Sequence, residues 1–313
     1  MKINTTSIVK KVFLCALGIG FITNTYAQQD PQYTQYMYNT MTVNPAYAGS
    51  KGHTVITALG RFQWVGFEGA PDTQTLSYDT PLGLSGLGLG FNLVNDKIGP
   101  SHEIYFDVNG SYTIETGQEG NLAFGLRLGG RLLSIDWNKG RRTDEQDPSF
   151  VPINNRFLPT VGAGIYYHEP EWYIGLSVPN ILRKEHYDAE NKPGEVAIER
   201  MHFFLITGYV FDLNESTKFK PALLLKGVSG APLSLDISAN FLFNEKFRVG
   251  AAWRWGDAIS AMLGFQVSDS LHLGYAYDLT TSNYNVVNNG THEIMLRYEI
   301  FEGGIRYKSP RFF

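Results

Sequence analysis

"LSLDISANF", Leu233–Phe241, alternates without a break. Leu233, Leu235, Ile237, Ala239 and Phe241 are apolar, while Ser234, Asp236, Ser238 and Asn240 between them are polar. Successive side chains of an extended chain point to opposite faces, so this period of two reads as a β-strand with one apolar face. The pattern recurs on both sides. In "FRVGAAWRWG" Phe247, Val249, Ala251, Trp253 and Trp255 oppose Arg248, Gly250, Ala252, Arg254 and Gly256. "LHLGYAYDL" alternates from Leu271 to Leu279 and "HEIMLRYEI" from His292 to Ile300. Fourteen such segments begin near His53, Gln74, Leu87, Glu103, Leu122, Pro159, Trp172, His202, Phe219, Leu233, Phe247, Ile259, Leu271 and Thr291. The fifth changes phase after Gly129-Gly130: Leu122–Leu128 are apolar at even positions, whereas Leu133, Ile135 and Trp137 are odd. A β-bulge at the two glycines, with Leu128 and Leu133 on the same outer face, accounts for that change.

The alternate face separates two architectures. A secreted β-sandwich would turn Lys, Glu and Thr to water. Here the alternate face is rich in Gly, Ala and Ser with isolated charges, and Tyr, Trp and Phe of the apolar face gather near strand ends. Aromatic girdles and a band of apolar residues facing lipid are the marks of an outer-membrane barrel. Loop lengths agree. Every second connection is short (82–85, 117–120, 169–171, 214–217, 244–246, 268–270), and the long ones, 62–73, 138–155, 181–199 and 280–290, all fall in the other set, which also holds short ones near Val228 and Asp257. The expected fold is all-β, an antiparallel transmembrane barrel of about 14 strands over residues 51–313.

The start of the chain fits that destination. Lys2, Lys10 and Lys11 precede the short apolar run Val12–Ile22, and Thr25-Tyr26-Ala27 is a small-x-small cleavage signal. Residues 1–27 therefore read as a secretory signal peptide cleaved near Ala27. Cys15, the only cysteine, lies inside the apolar run after Leu14, where a lipoprotein cysteine would follow a small residue. It leaves with the signal, which removes disulfides and thiol chemistry. Loss of the three lysines takes the formal charge from -4 to -7, which gives no bias toward nucleic acid. No later apolar run reaches the length of a transmembrane helix.

Catalytic signatures are missing. The 7 histidines form no HExxH or HxH pair, and there is no GxSxG and no Walker loop. The chain reads as a non-enzyme with no metal or cofactor. On the polar faces stand Arg127, Arg248, Arg254 and Arg297 with Asp107, Asp236, Asp278, Glu293 and Glu299. A charge facing lipid near the midplane costs up to about 2–4 kcal/mol, so all are expected in the lumen. Both signs are present, which favours pairing across the lumen over an ion-selecting pore.

One region is more specific. "VNPAYAGS" at 43–50 is followed by "RFQWVGFEGAPDTQTLSYDTPL" at 61–82 and "GLGLGFNLVNDKIGP" at 86–100, with "QQDPQYTQYMYN" ahead of them and "SPRFF" at the end of the chain. This set resembles the PorP/SprF family of the Bacteroidetes type IX secretion system. The resemblance implies an outer-membrane protein needed for type IX export or gliding motility. Some members accompany a cargo or adhesin to the surface; others associate with the secretion machinery and a periplasmic peptidoglycan-binding partner. The family motifs fall on Asn44, Pro45, Ala48 and Gly49, then Arg61, Gln63, Trp64, Gly66, Gly69, Ala70, Pro71 and Thr73, then Asp96 and Gly99. They either bind a partner or shape the barrel ends. Asn44-Pro45 initiates a turn and Gly49 takes a positive φ, aiming the chain into the first strand. Arg61 stacks on Trp64 or sits at the interface, and Gly69-Ala70-Pro71 makes a loop tip. The resemblance implies docking of a type IX cargo or its C-terminal signal. The alternative is a channel or transporter for a small or hydrophobic solute.

Residues 28–50 remain. "QQDPQYTQYMYNTMTVNPAYAGS" has no period, so it is no strand, yet it is too rich in Tyr and Met for a solvated tail. It is expected to start on the periplasmic side and to fold into the barrel mouth or lumen, as a plug or as a partner contact.

Overall fold

The structure is a computed structural model that describes residues 31–83, 86–139, 152–182, 201–228, 231–282, 286 and 288–301. The expected signal peptide with Cys15, Leu84, Ser85, His186 and the "SPRFF" ending lie outside the described residues, as do parts of the segments 138–155, 181–199 and 280–290.

The alternating stretches form a single antiparallel sheet: β1 Thr54–Phe62, β2 Asp72–Pro81, β3 Leu87–Ile98, β4 Ser101–Thr116, β5 Gly120–Ile135, β6 Ile153–His168, β7 Trp172–Val178, β8 His202–Tyr209, β9 Phe211–Asn214, β10 Thr217–Val228, β11 Ser234–Phe243, β12 Phe247–Arg254, β13 Ala258–Gln266, β14 Leu271–Thr280 and β15 Thr291–Ile300. β8 and β9 both pair with β10 and are two halves of one stave, broken where Val210 turns inward against Leu242. The last strand returns to the first: β15 pairs with β1 from Thr54↔Ile300 to Phe62↔His292. The result is a closed barrel of fourteen staves. Closure leaves no edge of unpaired N–H and C=O groups, which hydrocarbon would not tolerate.

Burial follows the alternation. Leu126 and Leu128 of β5 are 63% and 61% exposed, while Arg127 between them is 5% exposed. At the short-turn end a chain of outward rings runs around the barrel, including Tyr167–Trp172, Tyr209–Phe211, Phe219–Phe241 and Phe247–Phe265, with centroids 4.5–5.2 Å apart. This belt sits where aromatic rings prefer the membrane–water boundary. Short turns mark the periplasmic end.

Two expectations need correction. The ladder through Gly129-Gly130 is regular on both sides, Asp107↔Gly129↔Thr160 and Phe106↔Gly130↔Pro159, so there is no bulge at the glycines. The register of β5 against β6 slips later, between Leu133 and Ile135. Leu133 faces inward, 1% exposed, and packs with Ile135 and Leu158 under Trp137 and Ile153. The change of phase therefore marks apolar residues moving to the inside at the long-loop end, while the strand keeps its facing. Gly130 faces outward beneath Phe106 and Phe157, stacked at 6.1 Å, and a Cβ there would lie 2.1 Å from the Phe157 ring. The second correction concerns β6, which begins at Ile153, six residues ahead of Pro159.

Candidate functional site

The lumen is occupied by the chain's own leader. Residues 31–53 run from the long-loop end to the short-turn end and then enter β1. Between them lie three 3-10 turns, Tyr36–Tyr38, Thr40–Thr42 and Pro45–Tyr47. Tyr33, Thr34, Gln35, Tyr36, Met37 and Tyr38 are all buried, as are Met41, Asn44, Ala46, Tyr47 and Ala48. A strand cannot fit there, because the surrounding ladder is already closed. Tight 3-10 turns instead satisfy part of the backbone locally, and the wall supplies the remaining partners.

The upper attachment is built on Arg61. Its guanidinium donates to Glu293 at 3.0 Å, to Asp278 at 2.8 Å and to the Thr34 hydroxyl at 3.0 Å. Thr34 in turn donates its hydroxyl to Asp278 at 2.8 Å. The Glu293 carboxylate accepts the backbone N–H of Thr34 at 2.9 Å and of Gln35 at 2.8 Å. One basic fork thus holds two acids, of which Glu293 grips two successive leader amides and Asp278 the Thr34 hydroxyl, which is strong charge-assisted bonding. Arg61 is committed to the lumen and does not stack on Trp64, because the two acids on β14 and β15 offer it a buried bidentate seat. These acids stand near the long-loop ends of their strands. Pro31–Thr34 therefore lies at that end and not on the periplasmic side, where the leader was expected to start.

Midway, Arg127 donates to the carbonyls of Met41 at 2.7 Å and Thr42 at 3.0 Å while Asn109 accepts its Nε–H at 2.9 Å. Small polar side chains complete the seat. Ser177 donates to the Val43 carbonyl at 2.7 Å, Ser111 to the Ala48 carbonyl at 2.6 Å, Asn39 donates to Ser77 at 3.0 Å, and Tyr33 shares a hydrogen bond with Thr75 at 2.7 Å. Asn44 caps its own turn, accepting the Ala46 N–H at 3.0 Å, and donates to the Ile165 carbonyl at 3.0 Å. This segment lies flat on the wall only because the wall is glycine there. A Cβ on Gly125 would sit 2.2 Å from the Ala46 nitrogen, and one on Gly164 2.1 Å from Asn44 Oδ1. Gly49, at φ 74°, then turns the chain toward β1 with its N–H on Asp79.

The other motif residues meet at the long-loop end. Gln63 N–H donates to the Pro71 carbonyl at 2.9 Å, closing the β1–β2 loop at its base, so Ala70 and Pro71 form its returning limb and not its tip. Val65 exchanges backbone hydrogen bonds with Asn289 and Gly290, and Gly99 N–H donates to the Gly69 carbonyl at 2.9 Å. Trp64 N–H donates to Thr291 at 3.2 Å, Gly66 holds φ 92° beside Asn289, and Thr73 donates to Asp96 at 2.5 Å. The loop is thereby bound to both neighbouring connections.

The remaining charges are also inside. They pair along the wall, between neighbouring residues or strands, and not across the lumen as expected: Arg254, opposite Asp236 in the β11–β12 ladder, pairs with it at 2.8 Å and with Asp257 at 3.2 Å. Arg297 and Lys51 share Glu299 at 3.1 and 3.3 Å. Arg248 lies over the Tyr38 ring, 4.9 Å from its centroid. Sequence reasoning missed Lys51, Ser77, Asn109, Ser111 and Ser177. Their signal is faint: a polar residue at an inward position, with no spacing to mark its distant partner. Among the described residues no group of three His, Cys, Asp or Glu side chains is placed to hold a metal.

The family of type IX secretion system membrane proteins PorP/SprF matches residues 25–298 of this chain. The chain belongs to the PorP/SprF family. With its closed barrel and apolar outer band it is an outer-membrane member of that secretion system. Solved barrels resemble it in fold at low identity. Omp33 of Acinetobacter baumannii is 8% identical, with 79% of this chain and 98% of that one covered at a TM-score of 0.46. A mutant of the TodX monoaromatic hydrocarbon channel is also 8% identical, over 83% and 93% of the chains at 0.49. A Pseudomonas aeruginosa FadL homologue is 10% identical over 80% and 89% at 0.41. No curated protein matches the chain.

Proposed function

We propose that this PorP/SprF barrel works by binding and not by catalysis or conduction: it docks a type IX cargo or its C-terminal signal at the outer membrane and helps its export or surface attachment. The observation that carries the reading is the leader. A solute channel needs an open lumen, and here Tyr33–Ala48 is buried inside it and bonded to the wall at both ends and in the middle. Beside the leader a small recess of about 80 Å³ stays accessible, lined by Pro31, Tyr33, Tyr105, Asp107, Thr160 and Asn180. A recess of that size is a dent beside the leader and not a route for a solute. Other type IX components, including a periplasmic peptidoglycan-binding protein, are the proposed machinery-side partners. Deletion of the protein tests this. One or a few surface proteins should disappear from the cell surface and accumulate inside, and an unchanged surface proteome would overturn docking.

A further inference from the structure

Asn92, on β3, faces the recess beside the leader. It is 4% exposed, and neither end of its side-chain amide, Nδ2 or Oδ1, has a hydrogen-bond partner among the described residues. The other polar groups around the recess are committed. Thr160 donates to Asp107 at 3.1 Å, Asn180 Oδ1 accepts the Leu182 N–H at 3.1 Å, and Arg127 holds the Met41 and Thr42 carbonyls. Tyr33 shares its hydrogen bond with Thr75, and Tyr105 donates to Glu103 at 2.8 Å. Val43, Val94 and Phe204 supply apolar wall. Pro31 of the leader, with Pro179 and Asn180 just beyond the end of β7, places the recess toward the long-loop mouth.

A buried amide without partners has given up its bonds to water and gained none in return, so it calls for a group that supplies them. About 80 Å³ is room for the end of one side chain and not for a length of chain. The Asn92 amide presents a donor and an acceptor side by side in one plane. A cation offers donors only and a carboxylate acceptors only, while a trans peptide group points its N–H and C=O in opposite directions. A second carboxamide meets both ends at once. We propose that the recess seats the side-chain carboxamide of an asparagine or glutamine from the docked polypeptide, paired edge to edge with Asn92. The contact rests on the docking reading and puts the partner at the outer, long-loop mouth of the barrel, where Tyr33 and Val43 of the leader form part of its seat. Asn92 stands unmatched in the free protein and gains its bonds when the partner arrives.

Asn92→Leu keeps the branch of the side chain and removes the amide. In the purified full-length protein the unfolding midpoint should rise by at least about 2 °C, because an unmatched polar group is gone. In cells the cargo, defined as the surface proteins lost when the gene for this barrel is deleted, should fall at the surface by at least about fivefold, with the variant barrel present and folded as judged by heat-modifiable mobility. Asn92→Asp exchanges the donor for an acceptor and should lose the cargo as well; should it not fold, Asn92→Leu decides alone. Cargo at the wild-type level in Asn92→Leu would overturn the site and leave docking in place, whereas no protein lost on deletion would overturn docking itself. Cargo kept in Asn92→Asp would mean a cationic group in the recess and overturn the carboxamide. A lower midpoint in Asn92→Leu would mean that ordered water already satisfies Asn92, and would overturn the proposal too.

Discussion

Arg61 is the residue on which the leader's upper seat depends. Removing one partner of a buried, hydrogen-bonded charge cluster costs about 3–5 kcal/mol, because the charges left behind stay in a poor solvent. Arg61→Ala would leave Asp278 and Glu293 facing each other without their cation. The expected outcome is a clear fall in the unfolding midpoint together with protease cleavage in the leader; a midpoint within 1 °C, about the error of the measurement, would contradict the clamp. Glu293→Gln tests the same grip from the other side. The amide oxygen still accepts on one side while its NH2 now faces an N–H donor on the other; leader protection should weaken, but by less than in Arg61→Ala, which leaves two acids without their cation. A second residue-scale prediction concerns the wall. Gly125→Val would place its side chain where the Ala46 backbone lies, so the barrel should still form while the leader is expelled and becomes cleavable. The sequence showed Arg61 as part of a family motif but not its partners. Glu293 is 232 positions away and lies opposite Arg61 only because β15 closes the barrel onto β1, a pairing that no local pattern reveals.

At the scale of elements the sequence was far more readable. Strands facing lipid must be apolar on alternate residues, so nearly every strand begins within two residues of the place its alternation starts, and the short turns mark one end. The exception is β6, whose first residues Ile153–Leu158 lie at the long-loop end, beyond the regular alternation. The same end misled the reading of β5. There the interior is apolar, so Leu133 and Ile135 continue the inward face and only seem to change it. Cysteine substitutions check this directly. Leu128→Cys should react with a membrane-dissolved thiol reagent and Leu133→Cys should not; equal labelling of both would restore the bulge. The leader's burial was legible from its tyrosines and methionines. Its direction was not, since that depends on where Glu293 and Asp278 stand in the closed barrel.

For the whole molecule, the filled lumen predicts a barrel that binds a partner and conducts little. Membership of a secretion-system family and the leader's attachment at three levels both fit a protein that presents a surface to a partner. The outer wall of β3–β8 carries Leu87, Tyr112, Phe124, Leu126, Leu176 and Phe203 around a broad apolar hollow, a face suited to lipid. The most direct measurement is solute flux into liposomes carrying equal amounts of the full-length mature protein and of a form lacking residues 28–42. The full-length protein should give no swelling with small sugars, and the shortened form, folded as judged by heat-modifiable mobility, should give robust swelling. Robust flux through the full-length protein, equal to that of the shortened form, would contradict a lumen closed by the leader.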